Sequence, residues 1–212
     1  MEFLLENILN LIGFVVGLVI GVIAYIGYKN TGSATLFRLS IAFLSIGVGF
    51  FVVWTGYMVE DFVLQKGQIE RWIQTLGIGI QTVGYFFIAF SHSIKSFFPK
   101  SRYLRSIGII PLFLVSVVHI EHVFRSISFI LLVYGAIETI ISYFEGKKKG
   151  TIFVAIGLSF LALGEFLGWY SFVFPESILY YVSISIKIAG LISLFIPVSK
   201  IPLTKIKFDP EI

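Results

Sequence analysis

The chain has 212 residues, of which 57% are hydrophobic and only 13% charged, and its formal net charge is +4. A soluble domain normally carries about 25% charged residues, so this composition predicts an integral membrane protein. Cysteine is absent, which excludes disulfides, thiolate chemistry and cysteine-bound metals. The abundance of Ile, Lys and Phe is typical of a thermophilic prokaryote.

Seven apolar runs of about twenty residues follow one another, each long enough to cross ~30 Å of hydrocarbon. They cover residues 5–28, 36–58, 72–92, 104–121, 126–145, 150–170 and 178–198. We therefore predict an all-α polytopic fold in which 1–212 form a single domain of seven transmembrane helices. The acidic N-terminal segment lacks the basic region of a cleavable signal peptide.

The basic residues between the runs predict the orientation. Twelve of the sixteen Lys and Arg fall in alternate breaks or within three residues of them, three fall in the remaining breaks, and Lys187 lies deep inside a run. Since positively charged loops stay in the cytoplasm, we predict an external N-terminus and a cytoplasmic C-terminus in the plasma membrane. The cytoplasmic lysines, Lys147 to Lys149 above all, are expected to meet anionic lipid headgroups.

The first three and last three runs share a pattern that suggests an internal repeat. At one fixed offset, the matching residues are Gly17, Tyr25, Lys29 and Gly32 with Gly135, Tyr143, Lys147 and Gly150. At an offset three smaller, they are Gly49, Phe51 and Trp54 with Gly164, Phe166 and Trp169. Residues 5–98 and 126–200 would then form parallel repeats joined by a linker helix at 104–121. This 3+1+3 layout resembles that of SWEET sugar transporters and microbial rhodopsins, although the SWEET proline pattern is missing.

Three ionisable side chains lie deep within the runs, away from their ends, namely Glu138, Glu165 and Lys187. Charges in hydrocarbon are costly, so they are expected to face the bundle interior and to mark a pathway or a buried pair. We predict that Lys187 pairs with Glu165, with Glu138 as the next candidate. Together with Gln74, Gln81 and Ser183, which lie at helical spacing with other polar residues of their runs, these side chains would form a central polar site.

A second candidate site lies at the boundary of the fourth run, where His119, Glu121 and His122 cluster. Histidines three residues apart share a helix face and suit a divalent metal, for which Glu60, Asp61 or Glu176 would supply a third ligand. Such a site would suggest a metal-dependent intramembrane hydrolase.

Lys187 also carries a resemblance to microbial rhodopsins, whose last helix holds a midplane lysine that binds retinal. The segment Arg71-Trp72-Ile73-Gln74 is similar to the start of their third helix, where a carboxylate stands in place of Gln74. The resemblance implies retinal bound to Lys187 as a Schiff base. It departs from the family at Ser183 as well, where an acid is expected, so only Glu165 remains as a counter-ion.

These patterns predict a membrane protein that recognises or transports a small solute or ion through a central polar site. The alternatives are a non-transporting sensor, a subunit of an oligomer or of a larger membrane complex, and the retinal-binding and hydrolase interpretations above. The sequence contains no nucleotide-binding loop or nucleophile elbow, which favours a protein that is not an enzyme but leaves the hydrolase alternative open. No feature of a nucleic-acid-binding protein is present, so a nucleic-acid partner is not expected.

Overall fold

The computed structural model describes residues 2–62, 68–93, 120–146, 149–173 and 177–200. Within these ranges the regular elements are six α-helices. They are α1 (Glu2–Thr31), α2 (Ala34–Phe62), α3 (Gln68–Ser93), α4 (Ile120–Gly146), α5 (Lys149–Val173) and α6 (Ser177–Val198). Each of the six is long and apolar enough to cross a membrane. The all-helical fold predicted from the sequence is therefore confirmed for the described part of the chain, and its six apolar helices are compatible with a multi-pass membrane protein.

The boundary between the fourth and fifth predicted spans needs correction. The predicted span 104–121 lies outside the described residues except for its last two, and those two begin α4. The helix therefore starts at Ile120 and not at residue 126. The physical reason is that Glu121 and Arg125 do not interrupt the helix, because they neutralise each other one turn apart. The number of seven spans, the orientation and the repeat stay predictions.

The six helices form a closed ring. Each helix packs against the next in chain order, and α6 packs against α1. The interior of the ring holds the buried apolar core, including Phe43, Ile46, Leu158 and Leu191. Large apolar side chains also cover the outside of the ring, as expected for surfaces that face lipid. Polar groups inside this ring are therefore shielded from both water and lipid.

Glycines allow neighbouring helices to cross closely. A Cβ on Gly17 of α1 would lie 2.8 Å from the Cα of Gly47 on α2. Serine and threonine hydroxyls add links between helices: Ser40 donates to the carbonyl of Gly21 at 2.9 Å, and the hydroxyls of Thr82 and Ser128 join α3 to α4 at 2.9 Å. Small residues and interhelical hydrogen bonds are the usual means by which membrane helices associate.

A tight turn makes α1 and α2 antiparallel. Gly32 adopts the left-handed conformation, with φ at 68°, and its N–H donates to the carbonyl of Tyr28 at 2.7 Å. This closes the C-terminus of α1 in the manner of a glycine cap. Two residues, Gly32 and Ser33, then separate the helices before α2 begins at Ala34.

Candidate functional site

Glu165 of α5 lies at the centre of the described helices. Its side chain is completely buried, with 0% exposure. The Nζ of Lys187 on α6 lies 2.6 Å from its Oε1, and the Nη1 of Arg125 on α4 lies 3.6 Å from its Oε2. One carboxylate therefore holds together two cations from the helices on either side of it.

Arg125 has a second acidic neighbour, Glu121, one turn earlier on the same helix. Its Nε and Nη2 donate to Oε1 of Glu121 at 3.1 and 3.0 Å. The result is a chain of two acids and two bases in the order Glu121, Arg125, Glu165 and Lys187, which we call the charge quartet. All four residues are buried, and with all four ionised their formal charges sum to zero. This balance makes the burial of four charges tolerable, since an unpaired charge in the interior is strongly destabilising.

Two glycines on α5 make room for the cations of the quartet. A Cβ on Gly164 would lie 2.5 Å from the Cγ of Lys187, and a Cβ on Gly168 would collide with Nη1 of Arg125. Ser183 of α6 fixes the same crossing because its hydroxyl donates to the carbonyl of Gly164 at 2.8 Å. The sequence folds locally in this way because only glycine leaves space for the long side chains to reach Glu165.

A small cavity lies beside the quartet, inside the ring. The space open to the centre of a water molecule is about 10 Å³, which is roughly enough for one water. Its polar lining comes from four helices, and its apolar lining completes the wall from α2, α3 and α6. The polar residues are Asn10, Gln81, Arg125, Tyr180, Ser183 and Lys187, and the apolar ones are Phe50, Val53, Ile78 and Ile184.

One buried polar atom of the cavity lining has no hydrogen-bond partner among the described residues. It is Oε1 of Gln81, a residue that is only 2% exposed. The buried side chain of Tyr85 lies close to the quartet, where it interacts with Glu165. A buried polar group without a partner is costly, so the amide of Gln81 indicates a place for a bound polar molecule.

The structure brings together four of the six residues predicted for the central site. Gln81, Ser183 and Lys187 line the cavity, and Glu165 forms the predicted pair with Lys187. Gln74 and Glu138 are half-buried and do not line it. The reason is depth: Gln74 precedes Gln81 by two helical turns, or about 10 Å, and Glu138 lies about 20 Å along α4 from Arg125.

Sequence reasoning missed Arg125, Asn10 and Tyr85. Arg125 is one of the three basic residues in the remaining breaks, between the runs 104–121 and 126–145, and this position predicts an external loop. A signal was present in its spacing from Glu121, since an acid and a base four residues apart form a pair on a helix. Asn10 and Tyr85 left no comparable signal, because a single amide or phenol in an apolar run is common.

The predicted metal site cannot be assembled from the described residues. His119 and the side chains of Glu60, Asp61 and Glu176 lie outside them. Glu121 is engaged with Arg125, and the ring of His122 lies 6.0 Å from that of Trp169. Among the described residues, no three His, Asp or Glu side chains are close enough to hold a metal. The site stays a prediction.

The retinal hypothesis stays a prediction. In the described part of the structure, the Nζ of Lys187 lies 2.6 Å from Oε1 of Glu165, the acid that the resemblance leaves as a counter-ion.

No protein-family model, no curated protein and no solved structure matches this chain.

Proposed function

We propose that this protein recognises a small polar solute or ion at the cavity beside the charge quartet and moves it across the membrane. The observation that carries the proposal is the burial of four charges next to a polar cavity inside a ring of apolar helices. Each charge costs about 2.5–3.5 kcal/mol at the centre of a membrane helix, even on the lenient insertion scale. Well-packed apolar residues would stabilise the bundle as well or better, so a binding role accounts for the quartet better than a structural one.

The contacts of α2 with α3 and of α5 with α6 support the predicted 3+1+3 repeat. A Cβ on Gly49 would lie 2.5 Å from the Cγ of Gln81, and a Cβ on Gly164 the same distance from the Cγ of Lys187. The equivalence continues one turn on, where Gly84 faces the carbonyl of Ala42 and Gly190 faces that of Gly157. Gln81 would then be the counterpart of Lys187, and the cavity would lie between the two halves, where repeat transporters bind their substrates.

The remaining parts of the proposal concern the membrane itself. We propose seven spans, the fourth being the part of the predicted run 104–121 that precedes Ile120, together with an external N-terminus and a plasma-membrane location with cytoplasmic lysines against anionic lipid. A reporter fused after Ile212 is expected to be cytoplasmic, and one inserted at Lys66 external. Both reporters on one side of the membrane would contradict the proposed orientation.

Transport is tested in proteoliposomes. Chloride, formate, potassium, glucose and glycine would each be followed by isotope uptake, which detects electroneutral movement as well as movement of net charge. We expect flux of at least one of them. The matched negative variant is Glu165→Gln with Lys187→Met, which removes the central pair together and is therefore expected to fold. Glu145→Gln, at the exposed end of α4, serves as the control that retains flux.

Two outcomes would contradict transport. If no flux exceeds that of the double variant, the cavity is not a pathway for these solute classes. If a solute stabilises the protein through the cavity without crossing the membrane, the protein is a sensor or a subunit of a complex.

A further inference from the structure

We infer that the occupant of the cavity is a small monovalent anion, and that it enters together with one proton carried by Glu165. This inference rests on the proposed recognition of a small solute or ion at the same site, and it adds the sign of the charge and the coupled ion.

The lining of the cavity favours an anion. Its two charged residues, Arg125 and Lys187, are both cations, and the remaining polar groups are the amides of Asn10 and Gln81 and the hydroxyls of Tyr180 and Ser183. Among the described residues no carboxylate lines it, and Glu165 contacts the two cations without being part of the lining. The cations and the amide N–H groups donate hydrogen bonds, which is what an anion requires, whereas the hydroxyl of Ser183 already donates to the carbonyl of Gly164.

Charge balance then requires a proton. The quartet is neutral when all four residues are ionised, so an added anion would leave one uncompensated negative charge in a region shielded from water. Protonation of one carboxyl restores neutrality. The bound state then has two cations, one carboxylate and one anion, and the transported unit is an anion with a proton.

Glu165 is the carboxyl placed to take this proton. The groups that face it are Arg125 and Glu121 from α4, Lys187 and, through Arg125, Tyr180 from α6, and Tyr85 from α3. Once Glu165 is neutral, the ammonium of Lys187 is released and becomes the partner of the anion. Glu121 is the poorer acceptor because its pairing with Arg125 would be lost, while Lys187 would stay bound to Glu165.

The inference is tested by titrating purified protein in detergent with sodium chloride and sodium formate. Ionic strength is held constant with gluconate, which is too large for the cavity. We expect both anions to raise the unfolding temperature, equally with sodium, potassium or choline. Proton uptake in weak buffer should approach one per anion, and the apparent affinity should fall about tenfold per pH unit where Glu165 is ionised in the empty site.

Variants of Glu165 and Lys187 test whether Glu165 carries the proton and whether Lys187 binds the anion. Glu165→Gln mimics the protonated acid, so chloride should bind without proton uptake or pH dependence and should restore stability to this variant at pH 8. The double variant Glu165→Gln, Lys187→Met should fold but should not respond to chloride. Glu145→Gln should behave as the wild type. A response that follows the cation, uptake of chloride without a proton, or pH dependence that persists in Glu165→Gln would overturn the inference.

These outcomes separate the inference from the proposed function. If glucose, glycine or potassium crosses the membrane through the site while chloride and formate do not bind, the anion inference fails and transport stands. If chloride binds with a proton but produces no flux, the inference stands and transport fails.

Discussion

The two halves of the ring use similar helix crossings to position different chemistry. In the first half, the crossing of α2 and α3 holds Gln81 against Gly49, and in the second half the crossing of α5 and α6 holds Lys187 against Gly164. The side chain is a neutral amide in one case and a cation in the other. Among the described residues, the second half provides a matching acid, Glu165. The comparison teaches that a close crossing at glycine places a long polar side chain in the ring interior. Whether that side chain can be charged depends on whether the neighbouring helix carries an oppositely charged residue.

The sharpest way to break this comparison is to remove the acid. Glu165→Gln should lower the free energy of unfolding by about 3–5 kcal/mol. The two buried cations, Lys187 and Arg125, would then be balanced by a single carboxylate, that of Glu121. Lys187→Met in the same background should recover much of that loss. The measurement is a double-mutant cycle on unfolding in detergent without added small anions. Additive effects would contradict an energetic interaction between the two residues.

The glycine crossings allow both halves to be tested with one kind of substitution. Gly49→Ala and Gly164→Ala should each destabilise by about 1–3 kcal/mol through overpacking. We expect the larger effect at Gly49, where the new methyl would lie 2.6 Å from the backbone oxygen of Gly77, whereas the nearest atom to Gly164 belongs to the flexible chain of Lys187. Gly135→Ala is the matched control, since its methyl would meet only Leu158, at 3.4 Å. Equal, small effects at all three positions would contradict the close crossings.

Much of this architecture could be predicted from the sequence, because the membrane imposes a strong length and polarity rule. Six of the predicted runs are present as helices, and the Lys187–Glu165 pair followed from the cost of an isolated charge. The burial of Arg125 could not be predicted in the same way. It depends on the space opened by Gly168 on another helix, a tertiary feature that has no signature near Arg125 in the sequence.

Tertiary structure also explains why Gln74 and Glu138, which are predicted to join the central site, do not line the cavity. Gln74 shares a helix stripe with Gln81, and Glu138 shares a helix with Arg125, so periodicity alone groups them with the site. Depth along the bundle separates them, and depth follows from where each helix begins. For α4 the apolar run predicts a start at residue 126, whereas the helix begins at Ile120.

The smallest expected change in the free energy of unfolding is an increase, at Gln81, and it distinguishes the two halves directly. Gln81→Leu replaces a buried amide whose oxygen has no partner among the described residues by an apolar side chain of similar size. The loss of an unsatisfied polar group should raise the free energy of unfolding by about 1 kcal/mol, whereas any single change to the charged pair in the second half should lower it. The same variant should weaken the response to chloride, because the cavity loses an amide donor. Such a gain in stability with a loss of binding is the expected behaviour of a polar residue retained for a ligand and not for the fold.

The measurement is unfolding with and without chloride, with Val83→Leu on the exposed face of α3 as the control. A destabilised Gln81→Leu that binds chloride as the wild type does would assign Gln81 to the packing of α2 against α3, and the two halves would then differ in function as well as in charge.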